Sequence, residues 1–143
     1  GPTWGGCLEV LQWVLTAGRF PADPHVLDGA VMLIETSETL PSASEVGWIL
    51  RAMGERGLLA AVDAVLVARP PASSLEDRRD APARARFRAE QRDAVIETVG
   101  RYNPEAVICV GVPFGHTRPQ WIVPHGGAMT LDGASHRITA SYA

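Results

Sequence analysis

Apolar residues fall along this chain in two rhythms, helical spacing and short unbroken runs, and the two alternate. Leu8, Leu11, Val14 and Leu15 share one face of a helix predicted over residues 7–17, with Gly5-Gly6 before it and Gly18 closing it. Pro21 and Pro24 mark a loop, and Asp28-Gly29 a turn. Residues 30–35, AVMLIE, form an apolar run with β-branched content that reads as a buried strand ending on a carboxylate. Ser42 and Glu45 have the S-x-x-E spacing of a capping box, so a second helix is predicted to start there. It carries Val46, Ile49, Leu50 and Met53 on one face and ends near residues 54–57, with a further short helical turn over 58–62. Residues 64–69, AVLVAR, read as a second strand.

The pattern weakens over residues 70–83, where three prolines, two serines and a charge cluster predict a surface loop. Residues 84–102 then predict a long charged helix with Phe87, Val95, Ile96 and Val99 as its apolar contacts. A third buried strand is expected over 106–112, followed by the turn Pro113-Phe114-Gly115-His116. The tail offers strands at 120–123, 128–131 and 136–142, the last two joined at Asp132-Gly133, a good hairpin signal. Helices alternating with short apolar strands argue for an α/β fold. The expectation is one domain over residues 1–143, a mixed β-sheet flanked by helices with a C-terminal hairpin.

Composition narrows the function classes. The 143 residues hold 13 cations, all arginine, against 16 acidic residues, for a formal net charge of −3. No basic face with interleaved aromatics is present, which argues against a nucleic-acid partner. The longest apolar runs fall far short of the roughly 20 residues a membrane helix needs, so no membrane partner is expected. No secretory segment opens the chain, so Cys7 and Cys109 are expected as two reduced thiols.

Two side chains stand just past strand ends, where open α/β sheets place active groups: Glu35 and His116. Pro113 and Gly115 would hold the imidazole at a rigid corner. A histidine and a carboxylate so placed are the base and orienter of a hydrolytic triad, although by pattern alone they read first as a turn histidine and a solvated strand-end carboxylate. The nucleophile is the difficulty. None of the seven serines lies in a G-x-S-x-G elbow. Cys109 lies inside an apolar strand, where burial makes a thiol inert, and Cys7 near a helix start is the better thiolate candidate. Zinc spacings, a P-loop and a G-x-G-x-x-G are absent, and no metal or organic cofactor is called for. Trp4, beside Gly5 and Gly6, is a candidate site wall, while the arginine run over 84–92 with Asp93 and Glu97 reads as a solvated helix face.

Three motifs in order carry a resemblance: Trp4-Gly5-Gly6-Cys7-Leu8-Glu9; Leu33-Ile34-Glu35-Thr36-Ser37-Glu38 with Pro41-Ser42; and Pro113-Phe114-Gly115-His116-Thr117 with Pro119, Pro124 and Gly126. Together they resemble the C-terminal half of the LD-carboxypeptidase family of serine peptidases, closer to its microcin C immunity (MccF-like) branch than to its murein-recycling branch. The resemblance runs over nearly the whole chain. It implies a Ser-Glu-His triad in which Glu35 and His116 are catalytic, Glu38 being the rival for the first role. Trp4, Gly5, Gly6 and Thr117 would contact the substrate, either a murein peptide or a peptidyl-nucleotide. The serine would come from an N-terminal domain that is absent here, leaving this chain inactive alone. The resemblance also implies a cytoplasmic homodimer. Cys7 stands where the family usually has asparagine, and the 70–83 loop is re-shaped, which leaves the substrate class open. The competing reading is a non-catalytic α/β binding module that keeps the fold.

Overall fold

The computed structural model describes residues 1–19 and 22–142. Four parallel strands form one sheet in the order β1 (Thr3–Cys7), β2 (Val31–Glu35), β3 (Ala64–Ala68) and β4 (Val107–Val112). Three helices connect them in sequence, α1 (Leu8–Thr16), α2 (Ala43–Glu55) and α3 (Ala81–Tyr102). When sequential strands sit side by side and every crossover has the same hand, all helices fall on one face. The packing has that form. Leu8 and Leu11 of α1, Leu50 of α2 and Val95 of α3 meet Met32, Ile34, Val65 and Val67 of the sheet in one core cluster.

The opposite face carries the alternate residues, Val31, Leu33, Ala64 and Leu66. It is covered by Phe114 and by a hairpin of β5 (Met129–Asp132) and β6 (Arg137–Ala140). Both faces of β2 and β3 are therefore buried, which is why their sequences are unbroken apolar runs rather than alternating ones. Leu50 and Leu66 are fully buried, and each contributes about 1.5–3 kcal/mol relative to exposure.

The capping box forms as expected: Ser42 Oγ accepts from the Glu45 amide at 3.2 Å, and Glu45 Oε2 accepts from the Ser42 amide at 2.7 Å. Elsewhere the structure departs from the pattern. Residues 3–7 form an edge strand that the sequence hid behind two glycines. The strand exists because its backbone pairs in register with β2, Thr3 opposite Val31 through Cys7 opposite Glu35. Gly5 sits at φ +136, and a Cβ there would overlap the Leu33 carbonyl oxygen, so only glycine lets the two strands approach.

Helix α3 begins three residues earlier than predicted, because Asp80 caps it by accepting from the Ala83 amide at 2.8 Å and Pro82 is tolerated in the first turn. The loop before it shortens accordingly. Residues 58–62 make turns rather than helix, although Leu58, Leu59 and Val62 are buried. The expected strand at 120–123 is irregular: Trp121 and Ile122 are exposed instead of alternating into the core. The hairpin turn spans four residues rather than two, with Asp132 paired to Arg137 and its carboxylate accepting from the Ala134 and Ser135 amides. Pro24 opens a short 3-10 helix, Pro24–Leu27, and the loop expected at Pro21 lies outside the described residues.

The sheet is also not mixed. The hairpin pairs with itself, and the segment leading into it is tied to the start of β1 by an antiparallel bridge, Pro2 to Ala128, with the Thr3 amide donating to the Gly127 carbonyl at 2.8 Å and the Met129 amide to the Gly1 carbonyl at 2.9 Å. It lies across a face, where the side chains of Met129, Leu131, Ile138 and Ala140 pack onto the core. Finally, β4 carries a bulge. Val67 pairs with Val110 but Ala68 with Val112, leaving Gly111 unpaired at φ +80. The extra residue turns Val112 to the hairpin side and carries the following loop toward the end of β2.

Candidate functional site

That loop brings the two strand-end residues together. Glu35 closes β2 with 9% of its surface exposed, and His116 stands four residues beyond β4. Glu35 Oε2 accepts from His116 Nδ1 at 2.6 Å and from the His116 backbone amide at 3.1 Å. The double contact fixes both the ring and the loop beneath it. Gly115 precedes the histidine at φ +69, and a Cβ on it would collide with the Glu35 carboxylate. With Nδ1–H donated to a carboxylate, the neutral ring exposes the Nε2 lone pair, as a general base requires.

Glu38 takes a different position. Its Oε2 lies 3.6 Å from Nε2, and the side chain is mostly exposed, so it faces the outer nitrogen as a charge and does not orient the ring. The segment that carries it is pinned by Glu9 of α1, whose Oε1 accepts from the Ser37 amide at 3.0 Å, Ser37 Oγ at 2.7 Å and Thr39 Oγ1 at 3.0 Å. Burial would raise the Glu9 pKa, but the hydrogen bonds from Ser37 outweigh it and the carboxyl is held below its ordinary value.

The His116 pKa is raised, chiefly by the Nδ1 hydrogen bond to Glu35; partial burial opposes this, and the charges of Glu35, Glu38 and Glu9 add to it. A raised folded-state pKa means that this group's contribution to stability is complete below 6.5, its ordinary value, and is lost as pH rises through the folded value. An imidazole proton titration by NMR is therefore expected to place His116 above 6.5 and to move it down in Glu35→Gln. A midpoint at or below 6.5 in the unsubstituted chain would overturn this.

The remaining candidates divide. Thr117 adjoins the pair but is buried, and its hydroxyl accepts from Arg69 Nε at 3.1 Å, so it ties the histidine loop to the end of β3. Gly5 and Gly6 lie in β1, where Gly6 has open space around its missing Cβ. Trp4 is half-buried against the helix-side core and lines neither cavity bordering the pair. Cys7 ends β1 opposite Glu35, but it is not a thiolate: burial first, with Glu9 and Glu35 adding, pushes its pKa up to about 11. Its Sγ donates to Glu9 Oε2 at 3.3 Å. The helix start does not prevail over burial and two carboxylates. Cys109 is half-buried and its pKa is also raised by burial.

Two cavities border the pair. One, about 450 Å³, lies between the sheet and α3, with Glu35 in its wall among Leu8, Ile34, Val67 and Val95. The other, about 370 Å³, is lined by His116, Thr117, Arg69, Arg84, Arg88 and Arg118. Sequence reading missed Arg84 and Arg88 by treating the 84–92 run as solvated. The available signal was the spacing: Arg84 and Arg88 are one helical turn apart and so share a face.

The model of the LD-carboxypeptidase C-terminal domain matches residues 1–131. No curated protein gives a significant match. Among solved structures, an MccF-like protein from Streptococcus pneumoniae in complex with AMP superposes with a TM-score of 0.76 at 24% identity, over 99% of this chain and 40% of that one. MccF in complex with glutamyl sulfamoyl guanosine gives 0.72 at 17% identity, over 100% and 38%. A muramoyltetrapeptide carboxypeptidase from Oxalobacter formigenes gives 0.68 at 21% identity, over 96% and 42%. At these identities the likeness is one of fold. The chain thus spans well under half the length of each.

Proposed function

The chain belongs to the LD-carboxypeptidase C-terminal domain family, and from that membership we propose that it is the glutamate-and-histidine half of a serine peptidase. The observation that carries the reading is the Glu35–His116 contact at 2.6 Å, at the strand ends, with Nε2 turned outward. In this reading the serine belongs to a domain N-terminal to these residues. It attacks a peptide or amide carbonyl while His116 takes its proton at Nε2. The same nitrogen then protonates the leaving amine, and Glu35 holds the tautomer and stabilises the imidazolium. Gly5 and Gly6 give the substrate a bare backbone edge beside Glu35, and Thr117 acts by holding the His116 loop.

The bond cleaved is that of a murein LD-peptide or of a microcin-C-like peptidyl-nucleotide. Relatives of both kinds share the fold, one solved with AMP, another with glutamyl sulfamoyl guanosine and a third named for a muramoyl tetrapeptide. The reading carries with it a cytoplasmic homodimer that needs no metal. The test is hydrolysis of a murein tetrapeptide and of a peptidyl-sulfamoyl-adenosine by the two-domain protein, beside the 143-residue chain. Turnover by the first and none by the second is expected, and the preferred substrate names the branch. No turnover of either by the two-domain protein would leave a non-catalytic α/β module with the family fold.

A further inference from the structure

The cleft on the α3 side of His116 gathers positive charge from three parts of the chain. Arg69 follows β3, Arg84 and Arg88 stand one turn apart on α3, and Arg118 comes two residues after His116. Among the described residues, the hydrogen bonds of Arg69, Arg84 and Arg88 go to neutral acceptors. Arg69 Nε reaches Thr117 Oγ1 and its Nη2 the Arg118 carbonyl at 2.7 Å; Arg84 Nη1 reaches the Arg79 carbonyl at 2.6 Å; Arg88 Nε reaches the Pro70 carbonyl at 3.1 Å. Arginine–carboxylate ion pairs form elsewhere, at Arg79, Arg92 and Arg101. A guanidinium has five N–H donors, so Arg69, Arg84 and Arg88 each keep donors beyond those that position them.

Such a grouping works against itself. Arg69, Arg84 and Arg88 are half-buried, where charge repulsion is screened less than in water. The Arg88 pKa is lowered, first by burial and then by the positive charges of Arg69 and Arg84. The carbonyl contacts hold the guanidiniums in place without neutralising them. An anion bound among them would remove the repulsion and use the remaining donors in charge-assisted hydrogen bonds.

We propose that this cleft is an oxyanion subsite, in which Arg84, Arg88 and Arg118 hold a phosphate- or carboxylate-class group of the substrate beside His116, with Arg69 fixing the loop between them. The proposal rests on reading Glu35 and His116 as the reactive pair, and it sets where the charged end of the substrate lies: on the α3 side of the imidazole. Both candidate substrates have such a group, the phosphoryl of a peptidyl-nucleotide and the terminal carboxylate of a peptide.

The test is binding to the 143-residue chain, followed by NMR, with probes paired by charge: AMP against adenosine, and an acetylated tripeptide against its C-terminal amide. The charged member of at least one pair is expected to bind about tenfold or more tightly, the loss of one charge-assisted hydrogen bond being on that order. Which pair shows the difference identifies the source of the oxyanion. Arg84→Gln and Arg88→Gln should each abolish most of that difference while leaving the uncharged probe unchanged. Should Arg88→Gln fail to fold, Arg118→Gln, at an exposed position, carries the same test. Equal binding within both pairs, or a difference that survives these substitutions, would overturn the proposal. Binding is read without turnover, so the two readings fail separately. Hydrolysis that ignores Arg84 and Arg88 would remove the subsite alone, and charge-selective binding without hydrolysis would remove the peptidase alone.

Discussion

In the protein that carries this domain together with its serine domain, His116→Ala is expected to lower kcat by about 10³-fold or more, with the fold intact. The physical ground is the geometry of the ring. Nδ1 is occupied by Glu35 at 2.6 Å, so Nε2 is the nitrogen left to take a proton from a nucleophile. Alanine leaves the hydroxyl without a base, and water does not replace an imidazole held in position. Glu35→Gln is a sharper probe of the same arrangement. It keeps the volume but removes the charge that favours imidazolium and puts an NH₂ donor in place of one carboxylate oxygen, so the tautomer is no longer enforced, and a loss on the order of 10⁴-fold is expected. Because Glu35 also accepts from the His116 amide, this variant needs a melting curve beside the assay. Near-normal turnover in a folded His116→Ala protein would end the assignment. Glu38→Gln serves as the contrast: an exposed carboxylate 3.6 Å from Nε2 does not orient the ring, and its loss should leave the tautomer and most of the rate in place.

The second large effect is on stability. Gly115→Ala is expected to destabilise the chain by about 2–4 kcal/mol, since a non-glycine residue in the left-handed region costs roughly 1–2 kcal/mol and a displaced buried contact adds to that. Gly115 sits at φ +69, and its missing Cβ is the space that the Glu35 carboxylate fills. The added methyl must push either the carboxylate or the loop away, so the Glu35–His116 contact is lost along with the stability. Chemical denaturation measures the first consequence, and the His116 titration the second, since its midpoint should fall back toward 6.5. A Gly115→Ala chain with unchanged stability would mean that the loop accommodates a side chain there. Gly6→Ala is a useful comparison. Gly6 shares a positive φ but has nothing near its missing Cβ, so only the backbone penalty applies.

Much of this was legible in the residues. The apolar faces of α1 and α2, the runs of β2 and β3 and the Ser42–Glu45 box are local patterns, each stating its own secondary structure. Glu35 and His116 were legible as candidates because strand ends and a Pro-x-Gly turn are themselves sequence features. Strand β1 was not, since two glycines carry no strand signal until a partner strand is beside them. The same holds for residues 120–123, whose apolar side chains read as a strand although Trp121 and Ile122 are turned outward.

The separation has a common physical cause. Periodicity, capping and turn chemistry depend on neighbours within about one helical turn, so the sequence alone determined the alternating α/β order, the helix faces and the end of each buried run. Contacts between residues far apart in the chain were decided by tertiary structure. The Gly111 bulge carries His116 onto Glu35, 81 residues away, and the strand order puts all helices on one face and leaves the other to the hairpin. The arginine cleft belongs to the same group: Arg84 and Arg88 share a helix face by their spacing, but Arg69 and Arg118 join them only when β3, α3 and the His116 loop converge. No local pattern can announce such a cluster, because its chemistry resides in distances that exist only once the chain has folded.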